Sequence, residues 1–269
     1  MPDLLLEEWE RLCPNLTIGK PVSKNFSPFS DTMLAEIADG FWDKGYLKIP
    51  SVIKAPELER LVTAFQIFDK ADIPPAYLYI YDQPWALFES LRHLIGHLLG
   101  TEYALLPNLW AWHLRKPGAT GWPPHRDCDS ETVFSVGPDQ MLMSLSLWVP
   151  LTNVDQENGC IFVVAREDEK NLEHDQELEL EMLTPYATPL PVPAGSVLGW
   201  PQDLIHWGGV YSEGAKEPRM SLSFEFQNTS FAPLAEPLLS TENPPSFEQR
   251  VSLIQAQFEK YKHIAPDLN

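Results

Sequence analysis

Apolar positions recur at two different periods along this chain, and the change between them falls near Gly100. Before it the spacing is helical. Ser30-Asp31 offers an N-cap, after which Met33, Leu34, Ile37, Phe41 and Trp42 share one side of a helix that ends near Gly45. Leu58, Leu61, Val62 and Phe65 predict a second helix from Pro56 to about Phe68. Phe88, Leu91, Leu94, Ile95, Leu98 and Leu99 predict a longer one from Trp85 to Leu99, stopped by Gly100. Tyr46 to Pro50 alternates and reads as an edge strand, where a terminal proline is tolerated. Residues 1–29 carry little periodicity beyond a short helix around Leu4 to Leu12, and read as an arm on the body.

After Gly100 the period becomes two. Leu105 to Arg115, Met141 to Pro150, Cys160 to Ala165, Ser196 to Trp200 and Arg219 to Gln227 read as strands separated by Gly, Pro, Asn and Asp. Phe247 to Tyr261, opened by Pro244-Pro245-Ser246, predicts a closing helix. Helices followed by a run of strands predict an α+β, mainly β arrangement with helices covering one face of a sandwich or barrel. We expect a single domain over residues 1–269: the arm, a core over 30–235, and a C-terminal helical segment over 236–269.

Parity within two strands sharpens this picture. Met141, Met143, Leu145, Leu147 and Val149 form an apolar face suited to the helices, and Leu142, Ser144, Ser146 and Trp148 form a mixed face suited to a cavity. In the last strand Met220, Leu222, Phe224 and Phe226 lie on one side, with Arg219, Ser221, Ser223 and Glu225 on the other. That polar row must meet water or a ligand, because burying an unpaired guanidinium is costly.

Composition narrows the functional classes. Hydrophobic residues make up 44% of 269, ample for a large core, and the 26 prolines fit many loops and turns. No run of eighteen apolar residues is present, and the start, Met1-Pro2-Asp3 followed by Glu7 and Glu8, lacks the basic opening of a secretory signal. Cys13, Cys128 and Cys160 have no paired spacing, which argues for reduced thiols in a cytoplasm. The net charge of -19 disfavours nucleic acid and anionic membranes as partners. Much of it lies between Glu167 and Glu181, read as a solvated loop or helix face, with recognition of a cationic substrate as the functional alternative.

The candidate chemistry starts at Gly121-Trp122-Pro123-Pro124-His125-Arg126-Asp127-Cys128. On a β-strand, His125 and Asp127 would point to one face with Arg126 and Cys128 turned away. An imidazole and a carboxylate are two-thirds of the 2-His-1-carboxylate set that holds non-haem Fe(II). His206, in a short apolar segment running into Gly208-Gly209, is a third ligand candidate. A hairpin across the following loop would bring Arg219 beside it, and Arg219 with Ser221 suits a ligand carboxylate. His93 and His97, four apart on a predicted helix, lack a third partner, and His113 has the opposite parity to Trp112 and reads as core or surface.

His125-x-Asp127, a distal His206 and Arg219-x-Ser221, in this order and spacing, resemble the Fe(II)- and 2-oxoglutarate-dependent dioxygenases of the phytanoyl-CoA dioxygenase family. Phe41 to Pro50, Arg115-Lys116-Pro117-Gly118, Leu147 to Leu151 with Glu157 to Cys160, and Pro193 to Ser196 extend the likeness from about residue 30 to about residue 230. The resemblance implies a double-stranded β-helix, a cupin-like jelly-roll with helices packed on its larger sheet. It implies that His125, Asp127 and His206 bind iron, and that Arg219 and Ser221 hold the distal carboxylate of 2-oxoglutarate. Trp148 and, less securely, Trp112 match positions that contact the cosubstrate in relatives; core is the alternative for Trp112 and the favoured reading for Trp110, which shares its face. The implied reaction hydroxylates a small molecule, consuming O2 and releasing succinate and CO2. A carboxylate at Asp127 favours hydroxylation over halogenation, and the scarcity of basic residues disfavours a CoA ester. The rival reading is an inactive jelly-roll that binds a metal or a small acid. Loops near residues 129–140 and 167–188 are candidate lids.

Overall fold

Ser30 caps the first long helix as expected, its hydroxyl accepting from the Met33 amide at 3.3 Å, and Gly45 ends it in the left-handed conformation. The structure is a computed structural model that describes residues 5–20, 28–137, 139–172 and 178–262. Parts of the predicted arm (1–4 and 21–27), the middle of the acidic run (Glu173, Asp175, Glu177) and the last seven positions lie outside the described residues.

The N-terminal half is helical. It comprises α1 (Leu6–Leu12), α2 (Asp31–Lys44), the short strand β1 (Leu47–Ile49), α3 (Ala55–Lys70), a 3-10 turn (Pro75–Ile80), α4 (Asp82–Glu89) and α5 (Arg92–Leu99). The arm is anchored where Trp9 of α1 stacks on Tyr77 at 5.4 Å between ring centroids. The single long helix expected from Trp85 to Leu99 is broken at Ser90, whose hydroxyl bonds back to the Leu87 carbonyl at 2.6 Å. Apolar residues continue at helical spacing across that break, so the pattern hides it.

The strands follow. They are β2 (Tyr103–Leu114), β3 (Val133–Val136), β4 (Asp139–Leu142), β5 (Ser144–Pro150) and β6 (Ile161–Val164), then β7 (Ala187–Leu190), β8 (Val197–Pro201), β9 (His206–Gly208) and β10 (Arg219–Asn228). Short helices α6 (Arg166–Glu169) and α7 (Leu180–Leu183) interrupt them, and α8 (Phe247–Tyr261) closes the described chain with the predicted bounds.

Two antiparallel sheets face each other, the larger ordered β1-β8-β5-β10-β2 and the smaller β7-β6-β9, while β3 and β4 pair separately. The outer side of the larger sheet carries the helices. Leu145, Leu147, Val149, Leu222, Phe224 and Phe226 share one core with residues of α2 to α5 such as Phe41, Leu61, Phe65 and Leu94. Phe224 alone meets Tyr79, Trp85 and Phe88 at centroid distances of 4.9, 5.2 and 4.1 Å, and each such edge contact contributes about 0.5–1.5 kcal/mol beyond burial. This is the jelly-roll architecture expected, and it leaves the inner faces of the two sheets free to enclose a site.

Two strand expectations need correction. The run Met141 to Pro150 is two strands, because the chain leaves one pairing at Met143, whose amide bonds to the Thr132 carbonyl at 2.7 Å, and joins another. Parity therefore changes there: Leu142 is buried, and Met141 is 38% exposed. His206 and Arg219 are also not joined by a hairpin. β9 pairs with β6, whereas β10 pairs with β2 and β5, so the two residues approach across the gap between sheets.

Candidate active site

The stretch around His125 is not a regular strand. Its extended backbone makes an isolated bridge to β9, with His125 N bonded to His206 O at 3.1 Å and His206 N to His125 O at 3.0 Å. That pairing puts the imidazole rings 4.2 Å apart, and Asp127 follows at a bend with its carboxylate between them. Asp127 Oδ1 lies 3.3 Å from His125 Nε2 and Oδ2 lies 3.7 Å from His206 Nε2.

Both rings are oriented the same way. His125 Nδ1 lies 2.8 Å from the Pro123 carbonyl and His206 Nδ1 lies 3.0 Å from that of Leu204. Each Nδ1 must donate there, because a carbonyl only accepts, and each Nε2 is thereby left to present its lone pair to the centre. Asp127 Oδ2 accepts from Ser146 Oγ at 2.6 Å and from Trp200 Nε1 at 3.3 Å. The three ligand atoms fall within 4.8 Å of one another. Two imidazole lone pairs and an anionic carboxylate converging at that distance repel unless a cation lies between them, and the donor set fits a divalent transition metal.

The electrostatics agree. Burial opposes the Asp127 charge, but the His206 and His125 imidazoles and the Ser146 hydroxyl outweigh it and hold the carboxyl below its usual range. Burial lowers His206 to about 4, keeping it neutral. For His125 burial acts the same way, yet the adjacent Asp127 carboxylate and the Pro123 carbonyl prevail and raise it.

A cavity of about 360 Å³ opens from this cluster between the sheets. Arg219 lies along one side and is 1% exposed. Its guanidinium carbon is 6.0 Å from the Trp112 ring and 5.7 Å from the Trp148 ring, and one nitrogen donates to the Gly159 carbonyl. No acidic side chain pairs with it among the described residues, and its Nε has no partner. Burial lowers its pKa to about 10. A buried cation without a counter-charge costs several kcal/mol, so the arrangement calls for a ligand anion, and a carboxylate matches the guanidinium's planar fork. Gly121 and Gly208 leave that space open: a Cβ on Gly208 would fall 3.3 Å from Arg219 Nη1 and 2.7 Å from the Gly121 backbone.

Of the remaining expected residues, Ser221 is fully buried two positions along β10 from Arg219 and outside the cavity lining, and its hydroxyl has no partner among the described residues. Trp148 and Trp112 both line the cavity. So does Trp110, whose indole N–H also has no partner among the described residues, although it packs with the core as well. His113 points the other way, 4.0 Å from Asp69 and edge-on to Phe65. His93 and His97 are exposed on α5. Cys128 lies outside the cavity lining, and Arg126 reaches Glu169 at 3.0 Å and the Asp203 carbonyl at 2.9 Å.

Sequence reading missed the far end of the cavity. Asn108, Trp122, Gln257, Lys260 and Tyr261 line it, the last three from α8, where helical spacing marks them only as surface or core. Among the described residues neither candidate lid loop contributes to the lining. Glu225, on the polar row of β10, accepts from Asn108 Nδ2 and Gln202 Nε2, both at 2.7 Å. Burial, followed by the Asp127 charge, pushes its pKa up to about 8.

With this geometry in hand, residues 82–213 match the family model of phytanoyl-CoA dioxygenase (PhyH). That segment is similar to the phytanoyl-CoA dioxygenase domain. The matched segment contains His125, Asp127 and His206, and the domain is that of a 2-oxoglutarate-dependent non-haem iron dioxygenase. Solved structures share the fold at low identity. The epimerase SnoN in complex with Fe3+, alpha ketoglutarate and nogalamycin RO aligns at TM-score 0.54 and 17% identity, over 80% of this chain and 89% of that one. HygX from Streptomyces hygroscopicus, with nickel and 2-oxoglutarate bound, gives 0.53 and 17% over 73% and 88%. The carbocyclase SnoK from nogalamycin biosynthesis gives 0.53 and 15% over 82% and 100%. No curated protein matches the sequence.

Proposed function

We propose that this protein is an iron- and 2-oxoglutarate-dependent oxygenase that hydroxylates a small molecule: substrate C–H, O2 and 2-oxoglutarate become alcohol, succinate and CO2. The observation that carries this reading is the pairing of a convergent His125-Asp127-His206 donor set with Arg219, a buried guanidinium that has no acidic partner among the described residues, on one cavity wall. Iron held by the three side chains supplies the redox chemistry that couples decarboxylation to C–H oxidation.

The protein's own part is positioning. The Pro123 and Leu204 carbonyls fix the tautomers of the two histidines, and Ser146 and Trp200 fix the rotation of the Asp127 carboxylate. Arg219 receives the distal carboxylate of 2-oxoglutarate, with Trp112 and Trp148 against the guanidinium and Ser221 two residues along the strand. Both sheets and the aromatic walls exclude water from the reacting end. Neighbours with this fold are named an epimerase and a carbocyclase, and product analysis separates such outcomes from hydroxylation.

No helix of the described residues is long and apolar enough to cross a membrane, and the three cysteines are unpaired, which supports a reducing cytoplasmic setting. The test is anaerobic titration with Fe(II) and 2-oxoglutarate, followed by succinate release in air across a metabolite panel. Wild type is expected to develop a metal-to-ligand charge-transfer band and to release succinate. Asp127→Ala is expected to lose at least about a hundredfold in substrate-coupled turnover. Near-native turnover in Asp127→Ala would refute the triad, and a band without succinate for any substrate would favour the non-catalytic binder.

A further inference from the structure

The two ends of the cavity differ in charge. Arg219 and Glu225 lie on the same face of β10, six residues and so about 20 Å of strand apart, with Ser223 between them. The metal-ligand cluster sits nearer the Glu225 end. Ser146, which bonds Asp127, is the register partner of Glu225, and Gln202 Nε2 touches both Ser146 Oγ at 3.5 Å and Glu225 Oε2 at 2.7 Å. A cosubstrate stretching from Arg219 to the cluster therefore leaves the Glu225 end for the substrate.

That end is built to accept a cation. Both amide donors on Glu225 go to Oε2, and among the described residues no hydrogen bond reaches Oε1. Aromatic side chains line the same cavity: Trp110, Trp122 and Tyr261 pack on one another at 5.0 to 5.6 Å, centroid to centroid. Such faces carry negative potential and attract alkylammonium groups. Lys260 is exposed at the rim, donating to Asn108 Oδ1 at 3.0 Å with its ammonium 4.9 Å from the Tyr261 ring, and so does not cap Oε1. The net charge of -19 also favours the approach of cations over anions.

We propose that the substrate is a small organic amine, held by a charge-assisted bond from its ammonium to Glu225 Oε1 with its carbon skeleton against Trp110, Trp122 and Tyr261. This deepens the oxygenase reading and rests on it. Glu225 then determines specificity.

The test uses a matched pair of probes, cyclohexylmethylammonium and cyclohexylmethanol, titrated by calorimetry into the anaerobic protein loaded with Fe(II) and 2-oxoglutarate. Wild type is expected to bind the ammonium at least about tenfold more tightly than the alcohol. Glu225→Gln is expected to erase that preference while keeping the charge-transfer band. Tyr261→Leu, at the half-buried rim, is expected to weaken the ammonium more than the alcohol. Equal affinities in wild type, or a preference that survives Glu225→Gln, would overturn the proposal. If Glu225→Gln does not fold, the Tyr261→Leu result decides, and equal weakening of both probes would overturn it. Failure of Fe(II) and 2-oxoglutarate to bind at all would instead sink the oxygenase reading, a distinct outcome.

Discussion

Glu225 is the residue on which the cavity's electrostatics turn. Its carboxyl is raised from 4.5 to about 8 by burial and by the neighbouring Asp127 charge. A carboxyl whose folded pKa lies above its unfolded one contributes stability that is complete below the unfolded value and is lost as pH rises through the folded one. The stability difference between wild type and Glu225→Gln, both metal-free, should therefore move against wild type as pH climbs from 4.5 to about 8. Urea midpoints at several pH values measure this, and a difference that stayed flat would show Glu225 to be solvated and ordinary. Residues of this kind were only half legible in the sequence. Parity put Glu225 on a polar row with Arg219, and residue type singled out His125, Asp127 and His206. Trp122 and Tyr261 carried no such mark, because an aromatic that lines a cavity and one that fills a core have the same side chain and often the same spacing.

Among the elements, α8 does more than close the fold. Its residues Gln257, Lys260 and Tyr261 form the outer wall of the proposed substrate end, so its position sets the shape of that part of the cavity. The helix is held by Arg250, 3% exposed, which donates to Asp82 Oδ1, to the Ile80 carbonyl and to the Pro245 carbonyl, each at 2.8 Å. Asp82 in turn accepts from Thr17, Gly19 and Lys20, tying the N-terminal arm to the same point. Removing one partner of a buried pair leaves the other uncompensated, at about 3–5 kcal/mol. Arg250→Met should lower stability by that amount in equilibrium unfolding and loosen α8, read as faster amide exchange over Phe247–Tyr261. Loss confined to surface-pair magnitudes, below about 1 kcal/mol, would show that α8 is held by its apolar face alone. Such an element is readable from sequence in its bounds but not in its partner. Capping and period gave Phe247 to Tyr261, whereas its docking on Asp82 joins positions 168 residues apart. The breaks at Ser90 and Met143 were hidden for a related reason, since apolar spacing runs through both while the hydrogen bonding changes.

For the whole molecule, the site holds stability in reserve. Three convergent ligand groups and a buried guanidinium without a counter-ion are each unfavourable in the empty protein and become favourable when a metal and a dicarboxylate arrive. Both ligands bind only the folded chain, so each should stabilise it by about RT ln(1 + [L]/Kd), roughly 2.7 kcal/mol at a hundredfold excess over Kd. In a domain of this size each 1 kcal/mol moves Tm by about 2–4 °C, which makes the shift for one saturating ligand roughly 5–10 °C. On the proposed reading, in which 2-oxoglutarate reaches from Arg219 to the metal, the two increments should also be coupled, because the cosubstrate gains its second anchor only when the metal is bound. The expected pattern is a small Tm rise with 2-oxoglutarate alone, a larger one with Mn(II) or Fe(II) alone, and more than their sum with both. Chelation by EDTA should reverse the metal share. Arg219→Met supplies the control: freed of an unpaired buried charge, it should be as stable as wild type or more so without ligands, keep the metal increment, and lose the coupled one. If 2-oxoglutarate raised the Tm of Arg219→Met and wild type equally, Arg219 would not be its anchor, and the charge polarity assigned to the cavity would fall with it.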